Sequence, residues 1–405
     1  MKDVLQHQIT SEGLLHNSEG SLVEPGWAYQ LLLTYDKTRV KAPRRRLKEW
    51  DYYLINDDEY AVALTLGDLG YMGLLSASVI DFNAATFVTT SEIVPFPMGK
   101  FNLPTTTSQG VSEFSNKRIS FRYEVADGVR HIRVHFDRFD ERESLDVEAT
   151  LNEQPHDSMV IATPWASDPL AFYYNQKILA MRAQGSFKKG RLIHGFSPDD
   201  SFGLLDWGRG VWTRDNHWFW ACAQGWQTGV ASQDTAVFDA IVPNDAKAEV
   251  PVAVSREMPQ EAIPGKGDRL PDADEPVLWH RVGLNLGYGF GDTSAATENM
   301  FFLDGKGYKF GVVDFDIPKK ETFDTAKKTV DRYELLEPWP IHDEEGLVDL
   351  VFTPLLDRFD YQNFGVVLSD QHQVFGEFSG TVILDGKPFV LEKLKGSAEV
   401  IHNKY

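Results

Sequence analysis

Hydrophobic and polar residues alternate with a period of two over several short stretches of the chain. The alternation is strict in Ile119 to Val125, in Ile132 to Phe136 and in Leu145 to Leu151. Because successive side chains of a strand project to opposite faces, this pattern predicts antiparallel strands with one buried and one solvated face. An Asp127-Gly128 pair between the first two stretches predicts a tight hairpin turn.

Further strand candidates occur along the whole chain, whereas the three-to-four residue periodicity of helices is scarce. The candidates are Trp27 to Tyr35, Lys48 to Ile55, Tyr60 to Asp68, Tyr71 to Asp81, His217 to Ala223, Leu278 to Tyr288, Asn299 to Leu303, Tyr308 to Phe315, Leu347 to Leu356, Phe364 to Leu368 and Val374 to Leu384. The helix candidates, such as Thr322 to Tyr333, are short and polar. The pattern therefore predicts an all-β protein with few, peripheral helices.

The length of 405 residues exceeds the size at which a single hydrophobic core usually stops growing, so two domains are expected. Glycine and proline interrupt the strand pattern between Lys188 and Asp200, which places the boundary there and predicts domains at 1–190 and 191–405. Within the second, Pro243 to Pro276 is rich in Pro, Gly, Asp and Glu and is predicted to be a long surface excursion.

The formal net charge is −20, from 40 basic and 60 acidic residues. This charge repels nucleic-acid phosphates and anionic lipid headgroups, so neither is expected as a partner. The chain has no run of 18 apolar residues and no apolar signal-peptide region at its start, which argues against membrane spanning and export. Cys222 is the only cysteine and cannot form an internal disulfide, so a cytoplasmic location is expected. No oligomeric state is indicated.

Several common catalytic signatures are absent, including the Walker loop, the zincin His-Glu-x-x-His helix, the Gly-x-Ser-x-Gly elbow and paired Cys-x-x-Cys. Gly287 to Gly291 has the wrong glycine spacing for a dinucleotide loop, and Asp314 to Pro318 fails the EF-hand pattern. His131 and His135 share the polar face of a strand but lie too far apart to chelate easily. No metal and no cofactor are therefore predicted.

A tryptophan-rich segment distinguishes the middle of the chain, where five of the ten tryptophans fall within twenty residues. They are Trp207, Trp212, Trp218, Trp220 and Trp226. Two glycines flank Arg209 and predict a tight turn there. In a strand that begins at His217, Trp218 and Trp220 share one face and His217 takes the other. The segment is thus predicted to be a glycine-hinged turn backed by an aromatic strand face.

Asp206 has two interpretations in this setting. Desolvation beside the aromatic face would raise its pKa towards that of a general acid, while the aromatic rings stabilise a cation. Alternatively, Arg209 pairs with Asp206 across the predicted turn, which would lower the pKa of the carboxyl group and make the pair a structural clamp. Structural ion pairs also perturb pKa values, so the clamp is favoured.

Two other polar groups are candidate site residues. Glu298 and Asn299 open a strand, and they either face the same cavity or cap a loop. Lys48 shares a predicted strand face with Trp50 and Tyr52, where it forms either a structural salt bridge, the favoured interpretation, or a ligand contact.

The chain resembles the bacterial family catalogued as domain of unknown function 2804. The resemblance rests on Leu47 to Tyr53, Gly67 to Tyr71, Leu205 to Trp212, Thr297 to Asn299, and Gly376 to Gly380 with Glu399, His402 and Asn403. These stretches span nearly the whole chain, but the family name implies no reaction.

A weaker similarity connects the chain to tandem lipocalin-like proteins, which include carotenoid hydratases and fungal Diels-Alder cyclases. It rests on Phe378 to Val382, Asp385-Gly386, Gly396 and Glu399. It implies two lipocalin-like barrel or sandwich halves that enclose an apolar cavity. The catalytic residues of that group do not match this sequence one by one, so the similarity implies none.

Three functions are compatible with these observations. The leading hypothesis is binding of a hydrophobic small molecule, such as an isoprenoid or acyl lipid, in an aromatic-lined cavity. Its predicted ligand-binding residues are Trp207, Arg209, Trp212, His217, Trp218, Trp220, Asn299 and Lys48. The alternative is an acid-base enzyme, a hydratase, isomerase or cyclase, with Asp206 or Glu298 as the catalytic proton donor. The third is a structural or partner-binding role.

Overall fold

The computed structural model describes residues 4–153, 156–230, 278–325, 328–363 and 368–404. Over these residues the chain is almost entirely antiparallel β-structure, which confirms the all-β prediction. Its helices there are two single 3-10 turns, Lys37–Arg39 and Arg44–Arg46. None has the length and apolar character that crossing a bilayer requires. The predicted excursion at Pro243 to Pro276 lies outside the described residues, as does most of the strand candidate Phe364 to Leu368.

The first large sheet has 13 strands and is built from the N-terminal part of the chain. With all strands numbered in chain order, its members are β2 (Gly26–Ala28), β4 (Leu47–Asn56), β5 (Tyr60–Asp68), β6 (Met72–Asp81), β7 (Thr86–Pro95), β8 (Gly110–Ser115), β9 (Ile119–Ala126), β10 (Val129–Asp140), β11 (Glu143–Asn152), β12 (Met159–Trp165), β13 (Asp168–Lys189), β14 (Leu192–Phe196) and β15 (Phe202–Val211). Along the main path the order is β7-β6-β5-β4-β15-β13-β11-β10-β9-β8. A parallel pair, β1 (Gly13–Leu14) and β3 (Leu33–Thr34), lies beside it.

The second large sheet has nine strands from the C-terminal part of the chain. They are β16 (Asp215–Gln227), β17 (His280–Tyr288), β18 (Met300–Leu303), β19 (Lys306–Lys309), β20 (Val313–Phe315), β23 (Trp339–Asp343), β24 (Val348–Asn363), β25 (Leu368–Leu384) and β26 (Lys387–Lys404). Their order is β19-β18-β17-β16-β26-β25-β24-β23-β20. Each large sheet is curled into a half-barrel, as expected for two lipocalin-like halves.

The strands β21 (Lys319–Thr325) and β22 (Lys328–Tyr333) pair with each other as a separate hairpin. The expectation that Thr322 to Tyr333 is helical is therefore wrong. Thr322, Thr325, Thr329 and Val330 are β-branched residues, which favour strands over helices.

The predicted hairpin at Asp127-Gly128 is confirmed. Ala126 pairs with Val129 across a two-residue turn, and both turn residues have positive φ, 53° at Asp127 and 73° at Gly128. These angles are typical of the turn that matches the twist of two antiparallel strands. The chain leaves the first sheet after Val211 and enters the second at Asp215. The division into domains at residue 190 remains a prediction.

Buried apolar residues form three clusters rather than two. One fills the concave side of the first sheet and includes Tyr53 and Ile55, and another fills the second sheet. The third, which we call the interlayer core, combines residues of both sheets, among them Tyr52, Leu204 and Trp220. Tyr52 and Tyr53 fall in different clusters because neighbouring residues of a strand project to opposite faces. The two half-barrels therefore pack against each other through their outer faces.

Candidate functional site

The tryptophan-rich segment begins in a strand and not in a turn. All ten residues of β15 are buried, and the strand lies between β4 and β13. The prediction of a glycine-hinged turn at Gly208 and Gly210 is therefore wrong. A Cβ at position 208 would overlap the Trp50 indole, and a Cβ at position 210 would lie 2.7 Å from the Phe172 carbonyl oxygen. Glycine is needed at these two positions because neighbouring groups pack directly against the backbone of β15, where a Cβ would not fit.

Arg209 does not pair with Asp206, so the predicted clamp is also wrong. Residues three apart in a strand project to opposite faces. Arg209 donates to a carboxylate oxygen of Asp51 at 2.9 Å, and its guanidinium lies 4.2 Å from the centre of the Trp207 ring. Trp207 belongs to the core of the first half-barrel. Trp207 and Arg209, both predicted to bind ligand, thus lie on the far side of the strand from Asp206.

Asp206 pairs instead with Lys177, a buried residue of β13 that the sequence did not single out. The Lys177 Nζ lies 3.1 Å from Asp206 Oδ1, which also accepts a hydrogen bond of 2.6 Å from the Asn175 amide. Burial disfavours the charged lysine, but the carboxylates of Asp206 and Glu298 outweigh it and raise the pKa of Lys177. The ammonium group also lies 4.2 Å from the centre of the Trp220 ring, so it bridges the two sheets.

The second sheet presents a row of paired residues to this lysine, three of them polar. The row crosses five adjacent strands through Gly287, Trp220, Glu399, Gln373 and Arg358, which are paired in turn. The Gln373 amide donates to Glu399 at 2.9 Å and approaches the Tyr52 hydroxyl of the first sheet at 3.3 Å. The row therefore joins the two half-barrels through polar contacts within an otherwise apolar layer.

Glu399 receives the Trp218 indole N–H at 3.2 Å on its other oxygen. Its burial raises the pKa of the carboxyl group to about 7. Trp220 donates its own indole N–H to Asn285 at 2.7 Å. Trp218 and Trp220 thus face the interlayer core together, as the alternation along this strand predicts.

Glu298 completes the cluster from the loop before β18. Its carboxyl group occupies the space that a side chain at Gly287 would fill. Its side chain is buried, and neither carboxyl oxygen has a hydrogen-bond partner among the described residues. Burial raises the pKa of Glu298 to about 7, although the positive charges of Lys177 and Lys309 oppose this rise. A carboxyl group of this kind exchanges its proton near neutral pH.

The second lysine near Glu298 is held by short hydrogen bonds. Lys309 Nζ donates to Thr297 Oγ1 at 2.6 Å and to the Phe310 carbonyl at 2.7 Å. Burial lowers the pKa of Lys309 to about 7, and Glu298 acts in the opposite direction. Asn299 fixes the same loop, because its side chain bonds the Gly287 N–H at 2.7 Å and the Gly311 carbonyl at 2.7 Å. Asn299 therefore positions the backbone beside Glu298.

An aromatic cluster covers one side of these charges. Trp212 lies at its centre, with ring centroids 5.1 Å from Trp218, 5.6 Å from Trp165 and 6.0 Å from Trp50. These three outer rings are half-buried, whereas Trp212 is buried. Tyr173 packs under Trp212 and keeps a buried hydroxyl that has no partner among the described residues. The three outer rings thus contact the Trp212 ring and close this side of the charged groups.

Two predicted ligand-binding residues lie outside this cluster. Lys48 donates to the Leu69 carbonyl at 2.7 Å and lies 4.1 Å from the centre of the Tyr71 ring, four positions along β4 from Tyr52. Burial lowers its pKa to about 7. His217 is exposed on the opposite face of β16 from Trp218. The structure thus brings together Asp206, Glu298, Asn299, Trp212, Trp218 and Trp220, and separates Trp207, Arg209, Lys48 and His217 from them.

The sequence analysis assigned no site role to Lys177, Glu399 or Tyr173, although Glu399 is one of the residues that carry the family resemblance. A signal for the lysine exists, because Lys177 directly precedes the apolar run Ile178 to Met181, where a charge is costly without a partner. Glu399 stands beside Ala398 and Val400 in the same way. Their partners come from distant parts of the chain, and no local pattern shows them.

Comparison with known proteins gave one family and several solved structures. A model of the family described as Domain of unknown function (DUF2804) matches residues 6–233 and 275–405. The crystal structure of kievitone hydratase from Nectria haematococca has 11% sequence identity, covers 97% of this chain and 98% of its own, and has a TM-score of 0.43. The crystal structure of CghA with Sch210972 has 9% sequence identity, covers 96% of this chain and 97% of its own, and has a TM-score of 0.47. A search of curated proteins gave no match.

Proposed function

Because the chain belongs to the family described as Domain of unknown function (DUF2804), a description that names no reaction, we propose a function from the geometry of the site. The protein carries out acid-base conversion of a hydrophobic small molecule in the interlayer core, with Glu298 as the proton donor. The observation that carries this proposal is the buried Glu298 carboxyl group, whose two oxygens lack hydrogen-bond partners among the described residues beside a buried Lys177–Asp206 pair. Titratable groups perturbed by both burial and specific charges are typical of catalytic sites.

Glu298 is suited to give up a proton near neutral pH. Its pKa of about 7 leaves a large protonated fraction, and proton transfer is most effective when the pKa of the donor lies near the working pH. When the proton leaves for a double bond or carbonyl group of the ligand, the new carboxylate is stabilised by the charges of Lys177 and Lys309. The positively charged ligand that results lies among aromatic rings, whose faces attract cations.

The second half of the reaction needs a base. Asp206 is 9% exposed and already carries the negative charge of its pair with Lys177. As a base it takes a proton from a neighbouring carbon for isomerisation or cyclisation, or from an entering water for hydration. Glu399 belongs to the row of the second sheet that faces Lys177, and burial raises its pKa to about 7. It is therefore placed to exchange protons as well.

The aromatic cluster supplies the apolar binding surface. Trp50, Trp165 and Trp218 are half-buried around Trp212, so they form one of the parts of the interlayer core that reach solvent. A ligand that replaces one of these rings gains apolar contact on several sides and excludes water from the carboxyl groups. An isoprenoid or acyl chain with one unsaturated or oxygenated end fits this combination of apolar rings and buried acids.

Binding without conversion is the second candidate function. The observation that favours it is the closed aromatic cluster together with two further rings beside Lys177, those of Trp220 and Phe290, whose centres lie 4.2 and 5.8 Å from the lysine Nζ. Such a site can hold the polar end of an apolar ligand without chemistry. Native mass spectrometry of the protein purified from its own host tests the binding function, because that function requires a retained ligand of small-molecule mass.

Isotope exchange separates the enzyme from the binder. Apolar metabolite extract from the same host is incubated with the protein in D₂O, and masses are compared after extraction. We expect deuterium incorporation or a gain of one water in one compound, with a rate lowered about a hundredfold or more in Glu298→Gln. Glu148→Gln, an exposed carboxylate of β11, is the matched control and should retain the full rate. Retention of the ligand with no isotope exchange in the wild type would establish the binder instead.

A further inference from the structure

A second cluster of chemically reactive side chains lies on the other face of β16, outside the interlayer core. Asp215 and His217 are two positions apart in β16, so they share a face of the strand. His402 of β26 is the direct cross-strand partner of His217. Strand alternation and sheet register thus bring one carboxylate and two imidazoles together. The histidines are separated by 185 residues, which is why their spacing in the sequence did not suggest a ligand pair.

The distances among these groups suit a metal ion. Asp215 Oδ1 lies 2.9 Å from His402 Nε2 and 3.6 Å from His217 Nε2, and the three candidate ligand atoms lie within 4.8 Å of one another. In a tetrahedral zinc site with bonds of about 2.0 to 2.1 Å, two ligand atoms are about 3.3 Å apart. The two measured distances bracket that value. Among the residues that the structure describes, no other group of three such side chains meets this criterion.

We propose that Asp215, His217 and His402 form a binding site for one divalent transition-metal ion of the zinc type. Two imidazole nitrogens and one carboxylate oxygen are ligands that such ions accept. Lys404 approaches the other carboxylate oxygen, Oδ2, at 3.5 Å, so it holds the Asp215 carboxylate while Oδ1 faces the imidazoles. Three protein ligands leave a coordination position for water or for a donor atom of a small molecule.

Metal binding requires one change in side-chain geometry. The two imidazole rings are stacked, with centroids 3.6 Å apart and an angle of 20° between their planes. An imidazole nitrogen binds a metal in the plane of its ring, so two nearly parallel rings have to turn towards each other to share an ion. The His217 side chain is 45% exposed and that of His402 is 28% exposed, which leaves room for this rotation.

Two histidine-carboxylate pairs elsewhere in the molecule can be compared with the proposed metal site. His280 and His135 each contact one carboxylate, Asp304 at 2.6 Å and Asp146 at 2.7 Å, without a second imidazole. A histidine-carboxylate pair alone offers two ligands and is expected to bind the ion much more weakly. His280→Gln therefore removes a histidine of similar surroundings while leaving the proposed site intact.

The test uses the untagged, full-length protein after treatment with a chelator. Zn²⁺ binding is measured by isothermal titration calorimetry, and Co²⁺ is added separately because its visible absorption reports the ligand geometry. We expect one ion per chain. The affinity should fall about tenfold or more in His217→Gln and in His402→Gln, since even groups that only support metal ligands contribute that much. His280→Gln should bind like the wild type.

Two results would overturn the site. One is a wild type that takes up no Zn²⁺ at micromolar protein and metal concentrations. The other is equal affinity in the wild type, His217→Gln and His402→Gln. Circular dichroism checks that the variants are folded, and Asp215→Asn provides a third ligand change if either histidine variant is not. Because the readout is metal binding, the outcome does not depend on the function proposed for the interlayer core.

Discussion

At the scale of single residues, the buried Lys177 is the most informative side chain. A charged lysine within an apolar layer is unfavourable unless a partner compensates its lost hydration. Asp206 is that partner, at 3.1 Å, and Asn175 donates to the same carboxylate oxygen. The pair therefore depends on both members, and removal of either leaves an uncompensated buried charge or polar group.

Lys177→Met tests this dependence. We expect the free energy of unfolding to fall by about 3 to 5 kcal/mol, the usual loss when one partner of a buried ion pair is removed. The double variant Lys177→Met with Asp206→Leu should recover much of this loss, because no charge remains unpaired. Urea unfolding followed by tryptophan fluorescence measures the wild type, the two single variants Lys177→Met and Asp206→Leu, and the double variant. Losses that simply add in the double variant would show that the two residues are not energetically coupled.

The identity of the Asp206 partner could not be predicted from the sequence. Arg209 is close in the chain and has the right charge, so the sequence favoured it. The strand conformation of β15 places Arg209 on the opposite face, next to Asp51, and Lys177 comes from a strand 29 residues earlier. Glu298, in contrast, was a candidate from its place before an apolar strand, because that signal is local, and its catalytic role stays a prediction.

At the scale of elements, the sequence predicted hairpins well where the turn chemistry is local, as at Asp127-Gly128. It failed for β15, because Gly208 and Gly210 are typical of a turn when they are read without their neighbours. In the structure, the lack of a Cβ at these two positions leaves room for neighbouring groups. The Trp50 indole lies over Gly208, in the space that a side chain there would need. Glycine thus occurs in this molecule both in tight turns and within a strand where a neighbouring side chain packs against the backbone.

Gly208→Ala tests this interpretation of the strand. The new methyl group overlaps the Trp50 ring, so the variant should lose about 1 to 3 kcal/mol of unfolding free energy, as overpacked sites commonly do. Gly195→Ala in β14 is the matched control, since the first atom that its Cβ meets lies 3.9 Å away. Urea denaturation midpoints give the comparison. Equal midpoints for both variants would mean that Trp50 moves aside without cost.

At the scale of the whole molecule, the decisive feature is the interlayer core. Periodicity in the sequence predicts which residues of a strand share a face, but it does not show which face meets a second sheet. Trp220 and Glu399 are neighbours only because β16 and β26 pair, and Lys177 reaches them only because the two half-barrels pack together. The all-β class follows from local patterns, and the two halves follow from the chain length and the resemblance to tandem lipocalin-like proteins, whereas the site requires the packing of both halves.

This packing makes the stability of the molecule depend on pH through Glu298. Its pKa is raised from about 4.5 to about 7 by burial, so the folded protein binds the proton more tightly than the unfolded chain does. The resulting stabilisation is complete below pH 4.5 and is lost as the pH rises through 7. Lys309 acts in the opposite direction at higher pH, because its pKa is lowered to about 7 and stability from this group increases between pH 7 and 10.5.

Glu298→Gln should remove the first of these effects. It should also move the second to lower pH, because Glu298 raises the pKa of Lys309, and both changes act in the same direction on the difference from the wild type. Between pH 5.5 and 8, the unfolding free energy of the variant minus that of the wild type should rise by about 2 kcal/mol, from 1.36 kcal/mol for each pKa unit. Glu399, whose pKa is also about 7, is present in both proteins, so the effect of its own burial does not enter the difference. Urea unfolding at several pH values measures this difference in unfolding free energy. The exposed-site variant Glu148→Gln is the control. A difference that does not change with pH would mean that Glu298 keeps an ordinary pKa in the folded protein, and this would remove its suitability as the proton donor.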